Sequence, residues 1–305
     1  ESAMFYGNRG LVCGKIRGMN DGEIMGKGET IMKKIYISAD IEGIWGNSNP
    51  AYTSKSGSQY EEYRTNMIRE VNLVIDLLFQ NGVDEVVVND GHGNMDNLLP
   101  SRLDPRAAFV TSNGAYKEYG MMEALDASFD GVCFIGYHCR SNTHGIMAHT
   151  IWGGMIRSIV VDGKEMGEGG INAKLAQEYG VPVILASGDD LLKDQLEEEV
   201  EDPVFYVETK KVINSQSALC CSWDTLEKRY ESAIRRAVHG PKKKGEPKSH
   251  TMEITFHHER NADFAARMDG VTRMDACTVR IQKEDFDTLY RYMRFVIKTC
   301  NAFAG

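Results

Sequence analysis

Four short stretches carry residues able to do acid–base or metal chemistry. "SADIEG" (38–43) closes an apolar run with Asp40 and Glu42 and turns at once on Gly43. "NDGHGNMDN" (89–97) carries His92, "GYH" (136–138) carries His138, and "MGEGGINA" (166–173) carries Glu168. On a strand, residues two apart share a face, so Asp40 and Glu42 lie together. Two close carboxylates repel, and burying both without a cation is costly. A divalent metal removes both penalties. Carboxylate oxygens with imidazole nitrogens are a donor set suited to Zn²⁺.

Each stretch also has a plainer reading. Asp40 and Glu42 could be exposed acids at a strand-end turn, either histidine a turn or core residue, and Glu168 a first-turn complement to a helix dipole. What favours chemistry is coincidence. Three parallel strands would deliver Asp40/Glu42, His92 and His138 to one rim, and open α/β sheets form sites outside the carboxyl ends of their strands. "SNTHGIMAHT" (141–150) adds His144 and His149 without the H-E-x-x-H spacing. Asp189 and Asp190 could bind a ligand or cap a helix. His257 and His258 alternate faces and read as structural. A G-x-S-x-G elbow, a Walker loop and a strand-linked G-x-G-x-x-G do not occur.

The elements that must position these residues alternate. Strands are expected at 33–40, 84–90, 107–113, 131–138, 181–190 and 204–212, and helices at 59–82, 169–180, 189–202 and 222–240. The 59–82 helix shows apolar Tyr63, Met67, Val71, Val74 and Leu78 at steps of three or four. Asp162-Gly163 marks a hairpin within 156–167, and Ser222 is a plausible N-cap. This order predicts an α/β layered domain with a largely parallel sheet over 32–240. A small C-terminal α+β unit is expected over 250–305, with strands at 250–258 and 277–282 and helices near 262–268 and 285–300. Residues 1–31, rich in Gly, Met and charge without period, read as a poorly ordered extension, with Met32 opening the domain.

Composition narrows the class. The 305 residues are 42% hydrophobic and 26% charged, an ordinary globular balance. The net charge of −9 repels phosphate backbones, so nucleic acid is not an expected partner. The basic run "PKKKGEPK" (241–248) reads as a solvated loop. No apolar run approaches a membrane span, so no membrane partner is expected. Seven cysteines, an odd count with Cys220 and Cys221 adjacent, read as reduced thiols in a cytoplasmic protein.

In order along the chain, "SADIEG", "NDGHGNMDNL" (89–98), "GYH", "MAHT" (147–150) and "GEGGINA" (167–173) resemble the zinc D-aminopeptidases, from about residue 33 to the C-terminus and including "NADFAARMDGVTRMDACTVRI" (261–281). The resemblance implies two Zn²⁺ per subunit, with Asp40, Glu42, His92, His138 and Glu168 as metal ligands and Asp40 bridging. It places the catalytic histidine at His149. It implies removal of N-terminal D-amino acids from short peptides such as D-Ala-D-Ala, and a homo-oligomer, a decameric ring. The long stretch before Met32 departs from the family pattern. Alternatives are a metal-dependent amidase or L-specific peptidase on the same site, since ligands fix chemistry but not chirality, and a non-enzymatic metal-stabilised oligomeric peptide-binding scaffold. Asp90 and Asn89 are expected partners for the ring of His92.

Overall fold

Alternate residues of the first strand go to opposite sides: Ile35, Ile37 and Ala39 enter one apolar core and Tyr36 the other. A strand apolar on both faces belongs in the middle of a covered parallel sheet, and that is where it lies. The computed structural model describes residues 31–201, 203–239 and 250–304. The expected extension at 1–31 therefore falls outside the described residues except for Ile31, and the expected loop at 241–249 lies wholly outside them.

In chain order the elements are β1 (Lys34–Ala39), α1 (Tyr60–Gln80), β2 (Glu85–Asp90), β3 (Ala108–Val110), β4 (Gly131–Ile135), β5 (Ile156–Val161), β6 (Lys164–Met166), α2 (Glu168–Glu178) and β7 (Val183–Asp189). There follow α3 (Leu192–Glu199), β8 (Phe205–Asn214), β9 (Ser217–Cys220), α4 (Trp223–Ala237), β10 (His250–Phe256), α5 (Glu259–Ala265), β11 (Val271–Arg273), β12 (Thr278–Lys283) and α6 (Phe286–Ala304).

The main sheet runs β3-β2-β1-β4-β7-β8-β9, parallel throughout except for β9. The α/β class with a largely parallel sheet is thus the observed one. One face is covered by α1 and α4, with Met67, Val71, Val74 and Leu78 of α1 buried against Ile35 and Val88. Each such side chain contributes about 1.5–3 kcal/mol on burial. Ser222 caps α4 by accepting from Thr225 N–H.

The other face shares a core with α2, α6 and a second, antiparallel sheet, β11-β12-β10-β5-β6. Asp162 and Gly163 both take positive φ, 51° and 84°, as a two-residue turn between β5 and β6 requires. β5 pairs with β10, so the segment after residue 250 shares its sheet with residues 156–166. The short strands β9 and β11 were not expected; "SALC" and "VTR" are too brief to show a period. Among the described residues no helix is long and apolar enough to cross a membrane.

Strand order reverses at β1, which has β2 on one side and β4 on the other. Such a switch point opens a crevice beyond the strands' carboxyl ends.

Candidate metal centre

The crevice is shaped by backbone contact. β1 stops at Ala39, so Asp40 and Glu42 sit on the segment leaving the strand rather than on the strand itself. β4 likewise stops at Ile135, three residues before His138. The two departing segments touch. Gly43 N–H donates to Gly136 O at 2.7 Å, and a Cβ on Gly43 would lie 1.9 Å from Tyr137 O. Gly136 has φ +74°, and a Cβ there would lie 2.4 Å from Asp40 O. Only glycine fits either place, and the mutual approach brings the two acids beside His138.

The motif's serine is tied below. Ser38 Oγ donates to Met121 O at 2.8 Å and accepts from Tyr137 OH at 2.7 Å. Tyr137 OH accepts from Asn172 Nδ2, whose Oδ1 accepts from Tyr290 OH. This chain joins β1, the β4 exit, α2 and α6. From the side, Lys210 of β8 is buried and donates to the carbonyls of Glu42 (2.5 Å), Ile44 (2.8 Å) and Asn47. Burial pushes its pKa down to about 8.

All five expected ligands converge. His92 Nδ1 is 3.1 Å from Asp40 Oδ1 and 2.9 Å from Glu42 Oε2. His138 Nε2 is 3.4 Å from Asp40 Oδ2 and 3.2 Å from Glu168 Oε1. Asp40, Glu42, His138 and Glu168 are buried. Yet Asp40 Oδ2, Glu42 Oε2 and His138 Nε2 are buried without a well-formed hydrogen bond. Buried polar atoms rarely stay unsatisfied, and these three face one another. Carboxylate and imidazole donors so arranged fit Zn²⁺.

The outer contacts orient the rings. His92 Nε2–H donates to Thr53 O at 2.9 Å, and His138 Nδ1–H to Cys139 O at 2.9 Å, so in the neutral rings the opposite nitrogens turn their lone pairs inward. The ring partner of His92 is therefore Thr53, not Asp90 or Asn89. Asp90 instead holds the loop, accepting from the N–H groups of His92 (3.2 Å), Asn97 (2.5 Å) and Leu98 (2.7 Å). Asn89 binds Lys117 and Gly120.

Without metal the cluster compensates with protons. Burial, then the charge of Glu42, pushes the Asp40 carboxyl up to about 8. Burial disfavours charge on His138, but the carboxylates of Glu168, Asp40 and Glu42 outweigh it and raise its pKa to about 10. Despite burial, His138 beside Glu168 draws that carboxyl down to about 2. Glu42, also opposed by burial, is held well below the usual range by His92.

His149 stacks on His138, ring centroids 4.0 Å apart and 15° from parallel. Its Nδ1–H donates to Met147 O at 2.8 Å. Burial and the charge of His138 lower its pKa, favouring the neutral ring. The loop carrying it is strained: Met147 has φ 52° and Ile151, β-branched, has φ 57°. Ile151 N–H donates to Glu168 Oε2 at 2.6 Å, so the strain holds that carboxylate's second oxygen. His144, His257 and His258 are exposed and take no part. Asp189 accepts from Ile146, Leu191 and Leu192 N–H, the capping alternative; Asp190 accepts from Val212 N–H.

A cleft of about 620 Å³ opens over the centre. Asp40, His92, His149 and Glu168 line it, Met95, Met121 and Trp152 contribute apolar wall, and Arg294 and Lys298 of α6 add two cations. The contributions of α6, Thr53 and Lys210 went unnoticed in the sequence.

Three comparisons bear on this geometry. A family profile described as D-aminopeptidase matches residues 32–295. The D-aminopeptidase of Bacillus subtilis (strain 168) is 31% identical over 269 residues, which is 87% of this chain and 96% of that protein. A solved structure, the Zn-dependent D-aminopeptidase DppA from Bacillus subtilis, described as a self-compartmentalizing protease, matches with a TM-score of 0.82 at 30% identity, covering 88% of this chain and 97% of that one. With the profile spanning most of its length, the chain belongs to the D-aminopeptidase family.

Proposed function

We propose that this protein is a zinc-dependent hydrolase that removes N-terminal D-amino acids from short peptides such as D-Ala-D-Ala. Asp40, Glu42, His92, His138 and Glu168 would hold two zinc ions per subunit. The observation that carries the reading is the set of buried, inward-facing, unsatisfied atoms on Asp40, Glu42 and His138. Asp40, whose Oδ1 faces His92 while its Oδ2 faces His138, would be shared between the two ions. When bound, zinc supplies a Lewis acid for the scissile carbonyl and acidifies a water. The chain's own part is positioning and proton movement. The acids of the cleft receive the substrate's free amine. His149, neutral and with Nδ1–H pinned to Met147 O, has Nε2 free to take a proton and return it to the leaving amine, a role worth ~10²–10⁴-fold.

A second reading makes His149 a ligand. His138, His149 and Glu168 each offer a donor atom within 4.8 Å of the others, as do Asp40, Glu42 and His138. Metal content of His149→Ala separates the two: unchanged zinc supports the proton-transfer role, and lost zinc the ligand role.

Turnover of D-alanyl and L-alanyl amides, with and without chelator, tests the whole proposal. D over L turnover, abolished by chelation and restored by zinc, is expected. L preference supports the L-peptidase alternative, and no turnover at full zinc occupancy supports the scaffold. We extend the proposal to a ring-like homo-oligomer, in keeping with the self-compartmentalizing relative. Exposed Ile213 and Leu219 on the β8–β9 ribbon give it an apolar contact surface, and sedimentation velocity measures it. A cytoplasmic location belongs to the same proposal and is checked by cell fractionation.

A further inference from the structure

The cleft is lined by groups of both signs: Asp40 and Glu168, and Arg294 and Lys298, one turn apart on α6. Arg294 has no ion-pair partner among the described residues, and its Nε is buried with no hydrogen-bond partner. Its guanidinium packs on the backbone of Gly120, where a Cβ would meet Cζ at 2.5 Å. Lys298 Nζ is fixed by donation to Ala115 O (3.1 Å) and Lys117 O (2.8 Å), which accounts for two of its three N–H groups. A buried, unsatisfied Nε–H is costly to keep. The part of the guanidinium that lines the cleft can still meet a carboxylate through charge-assisted N–H contacts that Lys cannot match in number or planarity.

We infer that Arg294, flanked by Lys298, anchors the free C-terminal carboxylate of the substrate, so that this enzyme selects short zwitterionic peptides over C-terminally blocked ones. The inference rests on the peptidase reading of the metal centre and adds its substrate class. The amine goes to the acids and the carboxylate to the cations. The cleft's size suits a small ligand rather than a long chain. Extended peptide spans ~3.3–3.6 Å per residue, so each added residue displaces the carboxylate from its anchor by that much.

The test compares kcat/KM for D-alanyl-D-alanine with that for D-alanyl-D-alaninamide in the zinc-loaded protein. The free acid is expected to be preferred by roughly 10–100-fold, mainly through KM, as a charge-assisted fork contact implies. In Arg294→Gln the ratio should fall toward one, and Arg294→Lys should restore part of it. A merely structural role would lower both substrates alike and leave the ratio unchanged. A wild-type ratio at or below one overturns the anchor without any variant, as does a preference that survives Arg294→Gln. If the amide is hydrolysed but the acid is not preferred, only this inference fails. If neither is hydrolysed, the peptidase reading fails and takes the anchor with it.

Discussion

The ends of β1, β2 and β4 hold their acids and imidazoles through backbone contacts, whereas the facing wall offers two cations from one side of a helix. On the first wall, Gly43 and Gly136 touch main chain to main chain, Lys210 clasps three carbonyls, and Thr53 and Cys139 fix the rings. Four of its five donor residues are buried. On the second wall Arg294 and Lys298 are half-buried, and a single helix sets their spacing. The difference teaches that the chemical wall tolerates little adjustment, because many main-chain contacts converge on it. The helical wall can change residue by residue without disturbing the centre.

Substitutions on the first wall should therefore do the most damage. Asp40→Asn is expected to lower bound zinc and reduce kcat/KM by at least ~10⁴-fold, since the metal's two roles leave with it. Metal analysis beside kinetics checks this, and full zinc retention with modest loss breaks the assignment of Asp40 as the bridge. His149→Ala should cost ~10²–10⁴-fold in kcat with zinc retained. Gly43→Ala should destabilise the fold by roughly 3 kcal/mol or more, read from urea denaturation, because the new methyl meets the Tyr137 carbonyl at 1.9 Å. If Gly43→Ala is tolerated within experimental error, the rigid-wall account is wrong. Lys210→Met should cost about 1–3 kcal/mol by leaving buried carbonyls unpaired.

The smallest effect is a pH dependence. In the metal-free fold Asp40 titrates near 8 and His138 near 10, both above their ordinary values of 3.8 and 6.5. The folded chain then holds protons that the unfolded chain has released, so stability falls as pH rises through this range. Glu168, lowered to about 2, contributes stability that is lost only in acid and does not vary here. Chelator-treated protein should melt several degrees lower near pH 9 than near pH 6.5, and zinc should flatten the slope. A flat profile without zinc shows that the acids are better solvated than their burial implies.

Much of the first wall was legible because its donors are side chains of distinctive type set at strand ends. Asp40, Glu42, His92 and His138 meet at the strand ends where the alternation of strands and helices placed them, whereas Glu168, at the start of α2, was assigned through the family resemblance alone. The reason given for Asp40 and Glu42 was only partly right: they meet on a turned segment, not through strand alternation. Thr53 and Cys139 act through carbonyls, which every residue possesses, so no residue type announces them. Lys210 and Arg294 are single cations far along the chain from the atoms they face, and only the fold reveals their address. The left-handed backbone at Met147 and Ile151 is equally silent, since neither is Gly or Asn.

The proposed ligands come from four stretches of the chain, at residues 40 and 42, at 92, at 138 and at 168. Most of these groups meet only once the fold is formed, so a denatured coil would hold an ion less well than the native site. On the proposed function, mass action would credit most of the ion's affinity to the native state. If the proposed site holds zinc, metal supply would favour the folded chain, the ion taking the place that protons hold without it.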